Sequence, residues 1–190
     1  MISFIEGGVL LSYEVVSAKI YVPFLGASIY VWTSILTVTL MGLALGYRIG
    51  GQLSLRQPKK YLTYALATAG VLVLSSTYIA EAVLPDLSDS DIKSAAILSG
   101  FVILFVPVLS MGIVSPLIVE MLNQMNDKLA SATGLIFGIG TLGGIVVLLI
   151  TVFTFIPSIG VQNSTFVLGG FLLLATALSS LIKLAPNEEK

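Results

Sequence analysis

Apolar runs long enough to cross a bilayer follow one another along almost the whole of this chain, and that succession leaves little choice of fold. A crossing needs ~20 predominantly apolar residues. Stretches at about 2–22, 27–50, 60–83, 92–122, 130–155 and 161–183 meet that length. Composition points the same way: 10% of the 190 residues are charged and the mean hydropathy is +1.04, whereas a water-covered domain carries roughly 25% charged residues. Residues 1–184 therefore read as one all-α integral membrane domain, a half-transporter-like bundle of six transmembrane helices, with a short cytoplasmic tail at 185–190. Met1 to about Ser17 has no positively charged start and no small-residue cleavage site, and it carries Glu6 and Glu14. It reads as a retained first helix rather than a signal peptide.

The expected breaks are chemical. Pro23 and Gly26 end the first helix, and Gly50-Gly51 through Pro58 separate the second from the third. Leu84 to Asp91 forms an acidic turn, Asn123 to Lys128 a polar one, and Ile156-Pro157-Ser158-Ile159-Gly160 a short re-entry. On this map Arg48, Arg56, Lys59, Lys60, Lys128, Lys183 and Lys190 share one side, seven of the nine cations, and only Lys19 and Lys93 fall on the other. Cytoplasmic loops hold the excess of Lys and Arg. Both termini are accordingly expected in the cytoplasm, beneath a bacterial or archaeal cell membrane.

Several chemistries are excluded early. The chain has no histidine and no cysteine, which removes the commonest general base, the commonest transition-metal ligands and any thiol nucleophile. All of the aspartates, Asp86, Asp89, Asp91 and Asp127, fall in expected loops. No catalytic residue, metal or cofactor is expected. The scattered cations form no basic patch, so nucleic acid is not a partner. Gly138-x-Gly140-x-x-Gly143 sits inside an apolar span with no preceding strand, so it is not a phosphate loop.

Ionisable groups in spans need a reason, because a charge near the bilayer centre costs at least ~2.5–3.5 kcal/mol on insertion scales. Glu14 is the deepest on this map. It reads either as one end of a buried ion pair or hydrogen bond, with Lys19 as a candidate partner, or as a cation or proton site. The two residues are five positions apart, about 140° around an ideal helix, so contact within the helix is not dictated. Glu6, Glu81 and Glu120 lie nearer span ends and read as interfacial. The tyrosines and Trp32 read as interfacial anchors rather than a substrate cage. Gly42, Gly46 and Gly50 recur every four residues, and Gly134, Gly138, Gly140, Gly143 and Gly144 enrich the fifth span, so both faces invite close helix packing. Pro107 and Pro116 interrupt the fourth span around Leu109 to Gly112. Proline frees backbone polar groups there, as in the broken helices that line transporter sites, or else merely shapes the bundle.

Tyr13-Glu14 followed by Lys19, then Pro23-Phe24-Leu25-Gly26-Ala27-Ser28, resembles the first helix and loop of membrane-bound spermidine synthase-like proteins. Gly42-Leu43-Ala44-Leu45-Gly46 with Gly50-Gly51 and Arg56 is similar to that family's second helix. Pro107, Met111-Gly112 and Pro116 resemble its fourth, and Thr141 to Gly144 with Ile156 to Gly160 its fifth and exit. The family pattern usually has Arg where Lys19 stands. The resemblance implies a transporter-like membrane module, in the family fused to a soluble aminopropyltransferase. Here Asn187 to Lys190 closes the chain after the sixth span, so that enzyme, with its Gly-rich cofactor loop and acidic catalytic residues, is expected to be absent.

The leading expectation is a non-catalytic membrane subunit or scaffold. It would associate with a membrane protein, a homo-oligomeric copy or a separately encoded aminopropyltransferase through its glycine-rich faces. The alternative is a transporter-like module for a small cation or polyamine, conceivably a homodimer, with Tyr13, Glu14, Lys19 and Glu120 as substrate or ion-pair candidates. An intramembrane enzyme ranks last.

Overall fold

The computed structural model describes residues 1–88, 91–126 and 129–181, all helix and short connections. Seven α-helices and two π-helical segments occur in the order α1 (Ile2–Leu25), α2 (Ile29–Ser54), α3 (Pro58–Ser88), α4 (Ile92–Gly100), α5 (Val106–Asn126), α6 (Leu129–Ile150) and α7 (Ile156–Leu181). The π segments, Phe101–Phe105 and Thr151–Phe155, join α4 to α5 and α6 to α7 without a break. By length and composition five helical stretches are able to cross a membrane, the last of them Ala130–Leu181. Lys128, Lys183, Lys190 and the tail at 185–190 lie outside the described residues, as do Asp89 and Ser90 of the acidic turn.

The expected count of six separate helices is corrected by this continuity. No loop divides the fifth expected helix from the sixth; a single residue, Gly160, leaves helical geometry at φ 83°, ψ 171°. That combination is open essentially only to glycine. The consequence is large. Leu135, Ile136 and Leu178 line one cavity, although a straight helix would hold Leu135 and Leu178 about 65 Å apart over their 43-residue separation. The chain therefore doubles back within this stretch. Gly26, which ends α1, takes nearly the same conformation at φ 71°, ψ 172°.

Prolines also behave differently from the expectation. α1 runs through Pro23 and stops only at Gly26, whose N–H donates to Val22 O at 3.0 Å. α2 continues through Gly50-Gly51, and α3 through Pro85 into the expected acidic turn. The fourth span is not opened at Leu109 to Gly112. Pro116 sits inside continuous helix, and Pro107 follows the π segment Phe101–Phe105. Proline clashes with the carbonyl four residues before it. For Pro107 that residue is Ile103 and for Pro157 it is Phe153, each the centre of a π segment. Widening the turn relieves the clash while keeping the helix.

Glycines decide how closely the helices approach. A Cβ on Gly46 would lie 2.5 Å from Leu109 O and 2.9 Å from Gly112 Cα, and one on Gly50 2.7 Å from Ile113 O. Gly42 faces Phe105 and Val108, so α2 lies backbone to backbone on α5, parallel to it. Gly140, Gly143 and Gly144 of α6 meet Ser3, Phe4 and Leu11 of α1, while Gly7 and Gly8 return the contact. α7 runs antiparallel to α3: Gly70 faces Leu172 and Leu173, Gly169 faces Leu74, and the Thr63 and Ser179 hydroxyls are 2.9 Å apart. Gly138 is a correction. It points outward with open space around it, because the side of α6 that meets α1 carries Gly140, Gly143 and Gly144 instead.

Gly46→Ala is expected to lower stability by about 1–3 kcal/mol, since the added methyl has backbone rather than a movable side chain in its way. Gly138→Ala is expected to hold or gain up to about 1 kcal/mol from helix propensity. Thermal unfolding of the two variants in detergent measures the contrast.

Candidate functional site

Two polar features lie inside the bundle. The first is a line of hydroxyls donating to backbone carbonyls of the fourth span. Tyr13 Oη donates to Ile103 O at 3.2 Å and Tyr21 Oη to Ser99 O at 3.1 Å, while Ser34 Oγ donates to Ala96 O. Acceptors at 96, 99 and 103 share one helical face, and Tyr13 and Tyr21 are both fully buried. Pro107 has no N–H to return to Ile103. Tyr13 therefore supplies from α1 the donor that the fourth span lacks.

The second feature is a cavity of about 160 Å³ lined by Glu6 and Gly7 of α1, Tyr47 of α2, Ser115 of α5, and Phe137, Gly140 and Thr141 of α6, among others. Glu6 is 4% exposed and is the only buried charged side chain among the described residues. Its carboxylate has neither a hydrogen-bond donor nor an ion-pair partner among them. Ser115 is buried and likewise makes no side-chain hydrogen bond, and Thr141 Oγ1 donates to Phe137 O at 2.8 Å. Tyr47 and Phe137 pack edge to face at 6.1 Å between ring centres beside the cavity.

These positions revise the expected site. Glu6, read as interfacial, is enclosed, because α5 and α6 extend past the start of α1. Ser115 and Thr141 stand 11 and 12 residues inside their helix ends, roughly 16–18 Å by helical rise. Glu14 is only half-buried and turns toward Thr39 of α2. Lys19 is exposed and forms no ion pair with it. Tyr13 is a structural donor, not an anchor or a partner of Lys19. Glu120, half-buried, accepts from Gln124 Nε2 at 3.2 Å on the same helix. The structure thus brings none of Tyr13, Lys19 and Glu120 to Glu6. Among the described residues no group of three or more His, Cys, Asp and Glu side chains converges to hold a metal.

From sequence, Glu6 reads as interfacial, and Ser115 and Thr141 carry no site role. One signal was present: Glu6-Gly7-Gly8 mirrors the glycines of α6, and two bare faces of this kind bring helices, with whatever polar group stands beside them, into contact.

Set against protein-family models, curated proteins and solved structures, the chain matches none of them.

Tyr13→Phe is expected to cost about 1–3 kcal/mol, the range for leaving a buried acceptor unsatisfied. In a Pro107→Ala background, which restores an N–H for Ile103, the same change is expected to cost distinctly less. A double-mutant cycle by chemical denaturation in micelles reads this coupling.

Proposed function

We propose that this chain is a transporter-like membrane module of six crossings that admits a small polar or cationic solute to its interior. The observation that carries the reading is the polarity of the bundle. Leu36, Leu40, Leu142, Leu149 and Phe153 face outward, while Ser12, Thr77 and Thr151 bury hydroxyls that have no partner among the described residues. A bundle serving only as a scaffold gains nothing from unsatisfied interior hydroxyls, each of which carries a desolvation penalty. In a transport module such groups meet water or solute.

The return of the chain at Gly160 supports the sixth crossing. With six crossings, the excess of cations in the second connection favours a cytoplasmic position for both termini. Scaffolding through glycine faces is the weaker reading, because Gly42, Gly46, Gly50, Gly143 and Gly144 are occupied within the chain. Gly134 and Gly138, like Gly51 and Gly170, have open space around them and remain for a membrane partner or a second copy. The resemblance around Tyr13 to Ser28 makes a separately encoded aminopropyltransferase the soluble partner to seek.

Since the chain has no cysteine, single-cysteine variants report topology without background. Leu55→Cys and Leu181→Cys are expected to label from the cytoplasmic side, Lys93→Cys and Ile159→Cys from the opposite side. Leu181 labelling from the far side rejects the six-crossing arrangement. In proteoliposomes, flux of small cations or amines above protein-free vesicles is expected, and its absence for all of them rejects the transport reading.

A further inference from the structure

We propose that the Glu6 cavity binds one small monovalent cation, either an alkali-metal ion or the ammonium end of a small amine. The proposal deepens the transporter-like reading and rests on it for its biological use, though not for the binding itself. A buried charge with no partner is strongly destabilising unless something compensates it. No Lys or Arg reaches Glu6, so the carboxyl either keeps its proton or, when ionised, takes its compensating charge from outside the chain. The cavity provides the room: its 160 Å³ exceeds several-fold the ~30 Å³ share of one water, enough for an ion with part of its hydration shell.

The ligand set fixes the charge class. Divalent and transition metals take several anionic or imidazole ligands, and the described residues offer no such cluster. One carboxylate balances one positive charge. Around it stand neutral oxygens. The Ser115 hydroxyl is uncommitted, and Thr141 Oγ1, whose proton goes to Phe137 O, keeps its lone pairs for an ion. The four lining helices are held by contacts that leave little play, with α2 on α5 and α1 on α6 through glycine. The edge-to-face pair Tyr47 and Phe137, both exposed, lines one side of the cavity.

The test uses the purified full chain in micelles at fixed pH and ionic strength. Thermal unfolding is followed in sodium, potassium or methylammonium chloride against the bulky cation N-methylglucamine. A saturable rise in Tm with at least one small cation is expected, since a ligand that binds only the folded state stabilises it. The sodium and potassium arms separate a metal ion from the amine. Glu6→Gln is expected to abolish the rise, and Ser115→Ala to raise the half-saturating concentration roughly threefold or more. Glu14→Gln is expected to respond as the parent chain. If Glu6→Gln does not fold, the Ser115→Ala shift decides. Equal Tm in all salts, a full response in Glu6→Gln, or stabilisation that follows pH alone overturns the proposal. Binding without flux in proteoliposomes removes the transporter reading and leaves the site; flux without binding at Glu6 does the reverse.

Discussion

A bilayer offers a backbone no water, so every N–H and C=O within it has to find a partner in the protein. The fourth span depends on that constraint most visibly. Pro107 withdraws a donor and collides with the turn before it, and the chain answers with a π segment rather than a break. The carbonyl left without its normal partner is met from another helix by Tyr13. Tyr21 and Ser34 extend the same line of donors along the fourth span. A residue type that in membrane proteins commonly marks the interface is here spent in the interior, where its phenol reaches the Ile103 carbonyl.

Helix association in lipid is not driven by hiding apolar surface from water, and it relies on close van der Waals contact where small residues permit it. Glycine on both α1 and α6 brings these two helices together, and Glu6 and Thr141 line one cavity beside that contact. The packing that stabilises the bundle therefore also encloses the one buried charge among the described residues. Removing bulk for packing and isolating a carboxylate are one structural event in this fold.

The helical crossings were legible because apolar length is a one-dimensional property of sequence. The four-residue spacing of Gly42, Gly46 and Gly50 was legible for the same reason, since it defines a face whatever lies opposite. Burial of Glu6 was not. A carboxylate near the start of one span is hydrated or enclosed according to how far neighbouring helices reach, and α5 and α6 reach past it. The prolines misled in a consistent way: Pro23, Pro85 and Pro116 stay within helices, and Pro107 and Pro157 are absorbed by widened turns. Pro107 frees a carbonyl that Tyr13 of α1 serves, and that donor lies far away in sequence. Glu14 looked deeper than Glu6 only because α1 was judged alone.

Gly160 has a mechanical meaning beyond the turn it makes. A reversal built on one residue has two soft dihedrals and no slack. Taken alone, the arms on either side would swing about that point but could not slip along one another. One arm, α6, is bonded by glycine contact to α1, and the other, α7, is laid against α3. Because α1 also packs against α7 and α3, the single-residue reversal ties the α1–α6 and α3–α7 pairs into one body, and the Glu6 cavity sits in that body with further walls from α2 and α5.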